Sequence, residues 1–374
     1  MASDITHDPI YNTVGRDDFR AMLDVDRYAE RTGAFDGIIA ATHDHFWDPT
    51  DPTYVDFDAA PINLSEETIM PMDFSIELNS AVADRLDEGQ KIRLANEVTR
   101  WSLSSLLHGE QGALSLSASL CHILRDPGAL EYASNQAREE ARHVTAFTRY
   151  IQTRFGTPYP CGQTLGDLMN ELVLAPEVYK KLVGMQMLVE GLAMGAFATL
   201  HSKTNDPLLR RMVQMVMTDE AFHHRFGKIW ADRTVPSLTE QQHEIVEQWA
   251  ADCFTKIFFN LVNAEQKQVI YAQFGLDWQW VRSAVQEAFT DTDRRRLLRE
   301  GTNIFRVLIK TLLNAGIITD RTKPVYAMWV DMDELKTEGD FMVGDAIADE
   351  GIAYLRDINR NRRPMGRALK PTRS

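Results

Sequence analysis

The sequence predicts an all-α protein built on a four-helix bundle, with further helices before and after it. Three observations carry this. Long stretches repeat apolar residues at helical spacing with no interior proline, two of them open on Asp-Pro pairs, and a set of polar residues recurs at a fixed offset of 80 positions. Glu110, Asp126-Pro127, Glu140 and His143 become Glu190, Asp206-Pro207, Glu220 and His223. The repeat is one of chemistry as well as of hydrophobicity.

At 374 residues and 44% hydrophobic content, a single domain spanning 1–374 can bury its core without disulfides or a structural metal. Any metal is therefore expected to be functional. Cys121, Cys161 and Cys253 form no Cys-x-x-Cys pair, which fits reduced cytoplasmic thiols and argues against an iron–sulfur cluster or zinc knuckle. A net charge of −14 and a pI near 5.2 argue against a broad nucleic-acid surface. The first thirty residues carry Asp4, Asp8, Asp17 and Asp18 with Arg16 and Arg20 and have no apolar core, so no secretory signal is expected and the location reads as cytoplasmic.

Residues 16–88 hold N-terminal helices and a linker. Phe19, Met22, Leu23, Val25 and Tyr28 predict one amphipathic helix over 16–32, and a second is expected over 35–47. The Asp-Pro pairs of 48–54 mark a turn-rich linker. His43 and His45 lie two apart, do not face one another on a helix, and are not assigned as ligands.

The bundle is placed at 89–235. A long helical pattern over 89–125 has Glu110 in its apolar middle, whereas Glu88 and Glu97 sit among charged neighbours and read as solvated. Asp126 and Asp206 are N-cap residues with Pro at the first helical position, and in both halves the Glu of a Glu-x-x-His comes 14 residues later. The segment 156–176 is a long connection that lets the second helix pair repeat the first. The apolar run 184–200 is short for a membrane span and holds Gln186 and Glu190, so a buried core helix is expected and no span. Covering helices follow over 237–318, rich in Trp249, Phe254, Phe258, Phe259, Trp278 and Trp280, which can cover the bundle or form a homodimer interface. From 319 to 374 an irregular segment is expected, ending in a basic, solvated tail.

In Glu140-x-x-His143 and Glu220-x-x-His223 the two side chains share a helix face, about 4.5 Å apart along the axis, and can reach one ion. With Glu110 and Glu190 they supply four carboxylates and two imidazoles, the donor set of a two-metal site in a four-helix bundle. In these motifs the sequence resembles the ferritin-like di-iron carboxylate superfamily over residues 89–235. The resemblance implies two iron ions, with manganese or a mixed pair as alternatives, bound by Glu110, Glu140, His143, Glu190, Glu220 and His223. It implies dioxygen as co-substrate, a small organic substrate that is free or carrier-linked, and a ferredoxin or reductase as electron donor.

Acidic residues precede both ligand glutamates, Glu139 and Asp219, again 80 apart. In the superfamily such acids accept the second N–H of a ligand histidine, and Arg142 can pair with one of them. His224 has Val144 as its counterpart and points about 100° away from His223. Gln136, Phe147, Gln186, Met187, Met194, Phe197 and Met217 lie three, four or seven residues from a ligand and are candidate pocket residues. Most are apolar, which favours a largely hydrophobic substrate.

Within the superfamily three activities compete. An oxygenase that hydroxylates, desaturates or N-oxygenates ranks first. A ribonucleotide reductase-like radical subunit usually has a tyrosine one turn after the first histidine, where Phe147 stands, and a ferroxidase does not need the helices added around the bundle. Multicomponent monooxygenases typically carry a threonine where Met194 stands, and aminobenzoate-type N-oxygenases a histidine where Val216 stands. Acyl-carrier-protein desaturases share the doublets Glu139-Glu140 and Asp219-Glu220.

Overall fold

Asp87 starts the first long helix, α1 (Glu88–Leu120), through a capping box. Its side chain accepts from the Gln90 N–H while the Gln90 side chain accepts from the Asp87 N–H. Asp126 and Asp206 open α2 (Pro127–Phe155) and α5 (Pro207–Thr234) in the same way as each other. Each carboxylate accepts from the N–H two residues on, and Pro occupies a position where an N–H would go unused. Asp206 also accepts from Tyr150 and Arg154, which ties the end of α2 to the start of α5. Gly156 stops α2 with a φ of 85°, a conformation that glycine adopts without a Cβ clash.

The computed structural model describes residues 11–361 apart from 12, 16–17, 44, 60, 291–303 and 338–343. The protein is all-α: no strand forms among the described residues, and one isolated bridge joins Thr13 to Leu124. The segment 156–176 is not a bare connection, because α3 (Gln163–Leu174) forms within it. The apolar run lies in α4 (Val178–Lys203), which is long and apolar enough to cross a membrane but has 78% of its apolar window buried inside the protein. Just before Glu190, over Leu182–Val189, α4 widens into a π-helix, a feature that recurs at functional sites. Gly227 of α5 makes room for it, since a Cβ there would stand 2.8 Å from Gln186 Cβ and 3.1 Å from Met187 Cγ.

Helix α1 lies along α2, α4 along α5, α2 meets α5, and the π-helical segment meets α1, which closes a four-helix bundle. Two apolar clusters fill it, one holding Leu116, Ala133, Met187 and Phe226, the other Leu107, Phe147, Phe197 and Met217. On all four helices the proposed ligands fall between the two clusters, and the order of the clusters reverses between α1 and α2 and between α4 and α5. That reversal is the signature of antiparallel pairs with a polar layer sandwiched at mid-height.

The covering helices are α6 (Glu240–Val262), α7 (Trp278–Ala288) and α8 (Ile304–Asn314). Phe254 packs on Tyr326, Trp249 on Tyr179, and Arg85 lies over the Trp280 ring, so these aromatics face the rest of the chain. The side chains of Phe258 and Phe259 lie outside the described residues.

Three sequence expectations are corrected. Among the described residues of 16–32 only Phe19–Met22 and a 3-10 turn at Asp26–Ala29 are helical, because Phe19, Leu23, Val25 and Tyr28 are all more than half exposed and have no apolar surface to cover. Over 35–47 the α-helix spans only Asp36–Ala41. The C-terminal segment is not irregular throughout: short helices at Lys323–Tyr326 and Met332–Thr337 precede α9 (Asp345–Asn361), which lies along α5 with Gly351 over Thr218. The basic tail past 361 lies outside the described residues.

Candidate metal centre

The helix phase of each Glu-x-x-His aims both side chains into the bundle, and the polar layer that results is almost sealed from solvent. Glu140, His143, Glu220 and His223 are fully buried, and Glu110 and Glu190 retain 5% and 2% exposure. Their donor atoms form two groups, Glu110–Glu140–His143–Glu220 and Glu140–Glu190–Glu220–His223, each with its atoms within 4.8 Å of one another. The structure therefore brings all six proposed ligands together and separates their roles. Glu140 and Glu220 serve both groups; Glu110 and His143 belong to one, Glu190 and His223 to the other.

Each imidazole is used at both ends. His143 Nδ1 faces Glu110, Glu140 and Glu220 at 3.1, 3.3 and 3.1 Å, and His223 Nδ1 faces Glu140 and Glu220 at 3.0 and 3.3 Å. Outward, His143 Nε2 meets Asp219 at 2.8 Å and His223 Nε2 meets Glu139 at 3.0 Å. The pairing is crossed, because the acid of each doublet serves the histidine of the other half. It fixes the tautomer, leaving Nδ1 free as the inward donor.

Arg142 is buried and places Nε 2.9 Å from Asp219 Oδ2 and Nη2 against Asp219 Oδ1, with Glu139 at 3.5 Å. Two further residues join this layer that the sequence reading did not assign. Trp47 donates its indole N–H to Asp219 at 2.8 Å. His45, fully buried and stacked on Phe222, sets Nε2 3.2 Å from Asp219 and 3.7 Å from Glu139, a charge contact to both acids. His43 is exposed. His45, Glu139 and Asp219 are spaced closely enough for an ion of their own, but the Arg142 guanidinium already supplies the cation there.

Protonation follows from this geometry. Burial, then the charges of Glu220 and Glu140, push Glu110 and Glu190 well above the carboxylate range, although the His143 hydrogen bond pulls Glu110 back in part. Burial also opposes ionisation of Glu140 and Glu220, yet the two imidazoles outweigh it and hold both low. Asp219 is held well below its ordinary value against burial by Arg142, His143 and His45. For His143 and His223 burial disfavours the charge, but the surrounding carboxylates raise both well above the usual imidazole value. For His45 the same contest ends at about 9.

The candidate pocket residues divide. Phe147 stacks on Phe197 at 5.6 Å and shares a cluster with Met194 and Met217 on one side of the ligands. On the other side, Gln136 donates to Glu140 and Glu190, each at 3.1 Å, and Met187 belongs to the opposite cluster. Gln186 is fully buried with neither amide atom hydrogen-bonded. Ser117 Oγ and Tyr132 OH, also buried, likewise lack partners. These orphan groups need something to bind, and Glu140 Oε2 and Glu220 Oε1 make no hydrogen bond, only the charge contacts to His143 Nδ1 at 3.3 and 3.1 Å.

His45→Leu is expected to destabilise the chelator-treated protein by roughly 3 kcal/mol, because it leaves two buried carboxylates short of a cation. His45 is raised from 6.5 to about 9, so the stability it adds is complete below pH 6.5 and is lost as pH rises through 9. Urea unfolding of both proteins should therefore differ most below pH 6.5 and converge above 9. A difference that does not change with pH would show that His45 acts by packing alone.

A comparison with models of known protein families finds no match, and a comparison with curated proteins finds none either.

Proposed function

We propose that the protein is a non-haem di-iron oxygenase of the ferritin-like di-iron carboxylate kind, which oxidises a largely hydrophobic organic substrate with dioxygen and externally supplied electrons. One observation carries the reading: Glu140 and Glu220 belong to both donor groups, so two cations can share two carboxylates while each keeps its own Glu and His. Burying this many carboxylates in ionised form costs several kcal/mol each unless cations or bound protons compensate them, and two metal ions can take the place of those protons. Glu110 and His143 would hold one ion, Glu190 and His223 the other. Carboxylate-rich sites with one imidazole per ion suit iron, and manganese or a mixed pair is the runner-up. Two adjacent redox-active ions supply the electrons for dioxygen activation that side chains lack.

The chain's own residues set the conditions for that chemistry. Asp219 and Glu139 hold the outward imidazole protons, so the inward nitrogens stay available. Arg142 and His45 fix those two acids in place. Phe147, Phe197, Met194 and Met217 exclude water from one side of the layer. Phe147 offers no phenol, which favours an oxygenase over a tyrosyl-radical subunit. Hydroxylation, desaturation and N-oxygenation all fall within this class, with a ferredoxin or reductase as electron donor and, given three free thiols, a reducing compartment such as the cytoplasm.

Anaerobic loading with ferrous iron, desalting and elemental analysis are expected to give about two irons per chain. Exposure to oxygen should then produce a transient absorption whose decay a substrate hastens. A long-lived organic radical would transfer the assignment to a radical subunit, and uptake of many irons per chain to storage. Retention of less than one iron per chain would sink the metal reading itself.

A further inference from the structure

A cavity of about 300 Å3 lies beside the metal layer, walled by α4, α5, α8 and the start of α9. Its apolar lining includes Met194, one turn past Glu190, and Ala221, which directly follows Glu220, so it lies at the height of the proposed ligands although none of them lines it. Its outer end is cationic. Arg225 and Lys228 follow Ala221 by four and seven residues, so the three share one stripe of α5 running from the ligand level towards solvent.

The two cations are not equivalent. Lys228 is shared with Asp232 at 2.9 Å, whereas Arg225 rests over the Phe222 ring at 5.2 Å and has no carboxylate partner among the described residues. On the wall between the two ends, His224 Nδ1 is buried without a hydrogen-bond partner, and its Nε2 lies 3.4 Å from Thr311 Oγ1. Asp345, the acid at the rim, opens α9, where a negative charge suits the helix end, and is already engaged. In a chain of net charge −14, a guanidinium without a carboxylate partner among the described residues, at a mostly apolar cavity, is a selective feature.

We infer that this cavity is the substrate chamber of the proposed oxygenase and that its substrate is an amphipathic organic acid. Its carboxylate is held at Arg225, its polar middle meets His224, and its apolar body lies on Met194 and Ala221. The inference rests on the di-iron reading for the reaction but on the cavity alone for binding. A guanidinium matches a carboxylate with two parallel N–H donors, which fixes orientation as well as charge. Four to seven residues of helix separate the cationic end from Ala221, so the oxidised position lies roughly 6–10 Å from the acid group. A cavity of this size is at the small end of ligand pockets and suits a compact acid.

Hexanoate and its neutral counterpart hexanamide test the chamber directly by calorimetry on the full-length protein, both chelator-treated and iron-loaded. Hexanoate is expected to bind saturably and at least tenfold more tightly than hexanamide, with an affinity that falls as salt rises. Arg225→Gln should weaken hexanoate about tenfold, and Arg225→Lys should recover part of that loss. Met194→Trp should block binding by filling the inner end. Arg233→Gln, a change at an exposed cation of the same helix outside the cavity, should leave the affinity unchanged. Arg225 is exposed, so its variants are expected to fold even if Met194→Trp does not. Equal binding of acid and amide, an unchanged affinity in Arg225→Gln, or no saturable hexanoate binding would each overturn the inference. The two readings fail separately. Arg225-dependent binding in a protein that retains no iron overturns the oxygenase and leaves the chamber, and full iron loading without hexanoate binding does the reverse.

Discussion

Glu140→Ala is expected to strip both positions of the proposed metal centre, and Glu110→Ala only one. Glu140 sits in both donor groups and Glu110 in only one, so the same chemical change at the two positions has different consequences. Losing a group that merely orients a ligand costs 10–100-fold in metal affinity, and losing a shared ligand should cost more than about a hundredfold at each ion. After loading and desalting, elemental analysis should find close to no iron in Glu140→Ala or Glu220→Ala, and about one iron per chain in Glu110→Ala or Glu190→Ala. Circular dichroism should stay helical in all four, because the caps at Asp87, Asp126 and Asp206 and the two apolar clusters do not depend on the polar layer. A full iron retained by Glu140→Ala would show that the carboxylates are not shared.

Which of the six proposed ligands belong to both donor groups is seen only in the structure, although the sequence pattern singles out the six residues that it brings together. An offset of 80 fixes which residues repeat but not how two helix pairs face each other. Only the packed bundle shows that the acid before Glu220 serves His143 and the acid before Glu140 serves His223. The helix starts were legible for a local reason: an Asp-Pro pair acts within two residues of itself.

A helix over 35–47 would make His43 and His45 diverge, which argues against a role for His45. The chain leaves the helix after Ala41, and in less regular backbone residues two apart can point the same way, so His45 and Trp47 both reach Asp219. The π-helical stretch before Glu190 is also not legible locally, since the Gly227 that makes room for it lies on another helix. The C-terminal helix α9 escaped because its apolar side is short and is completed by α5. His45, the π-helical stretch and α9 depend on contacts between segments far apart in the chain, whereas the helix starts and each Glu-x-x-His are patterns closed within one helix.

Loading the centre with two divalent ions should release about four protons. Before any ion binds, the directions of the pKa shifts favour a balance among the protein's own groups. Glu139, Glu140, Asp219 and Glu220 are held low and carry four negative charges. Arg142, His45, His143 and His223 are held high and carry four positive ones. Glu110 and Glu190 are pushed well up by burial and by Glu220 and Glu140, which favours their neutral forms. To act as ligands, His143 and His223 give up one proton each, and so do Glu110 and Glu190. The two ions bring four positive charges in place of those four protons, so a layer sealed from solvent stays neutral throughout. Binding is therefore opposed by acid: where all four groups are protonated, the overall constant for the ion pair should rise by up to about four decades per pH unit. Calorimetry in buffers of different ionisation enthalpy counts the protons. A count near two would mean that Glu110 and Glu190 are ionised before the ions arrive, and Gln substitution at either should then leave the count unchanged. A count near four that falls by about one in each such variant is the expected result.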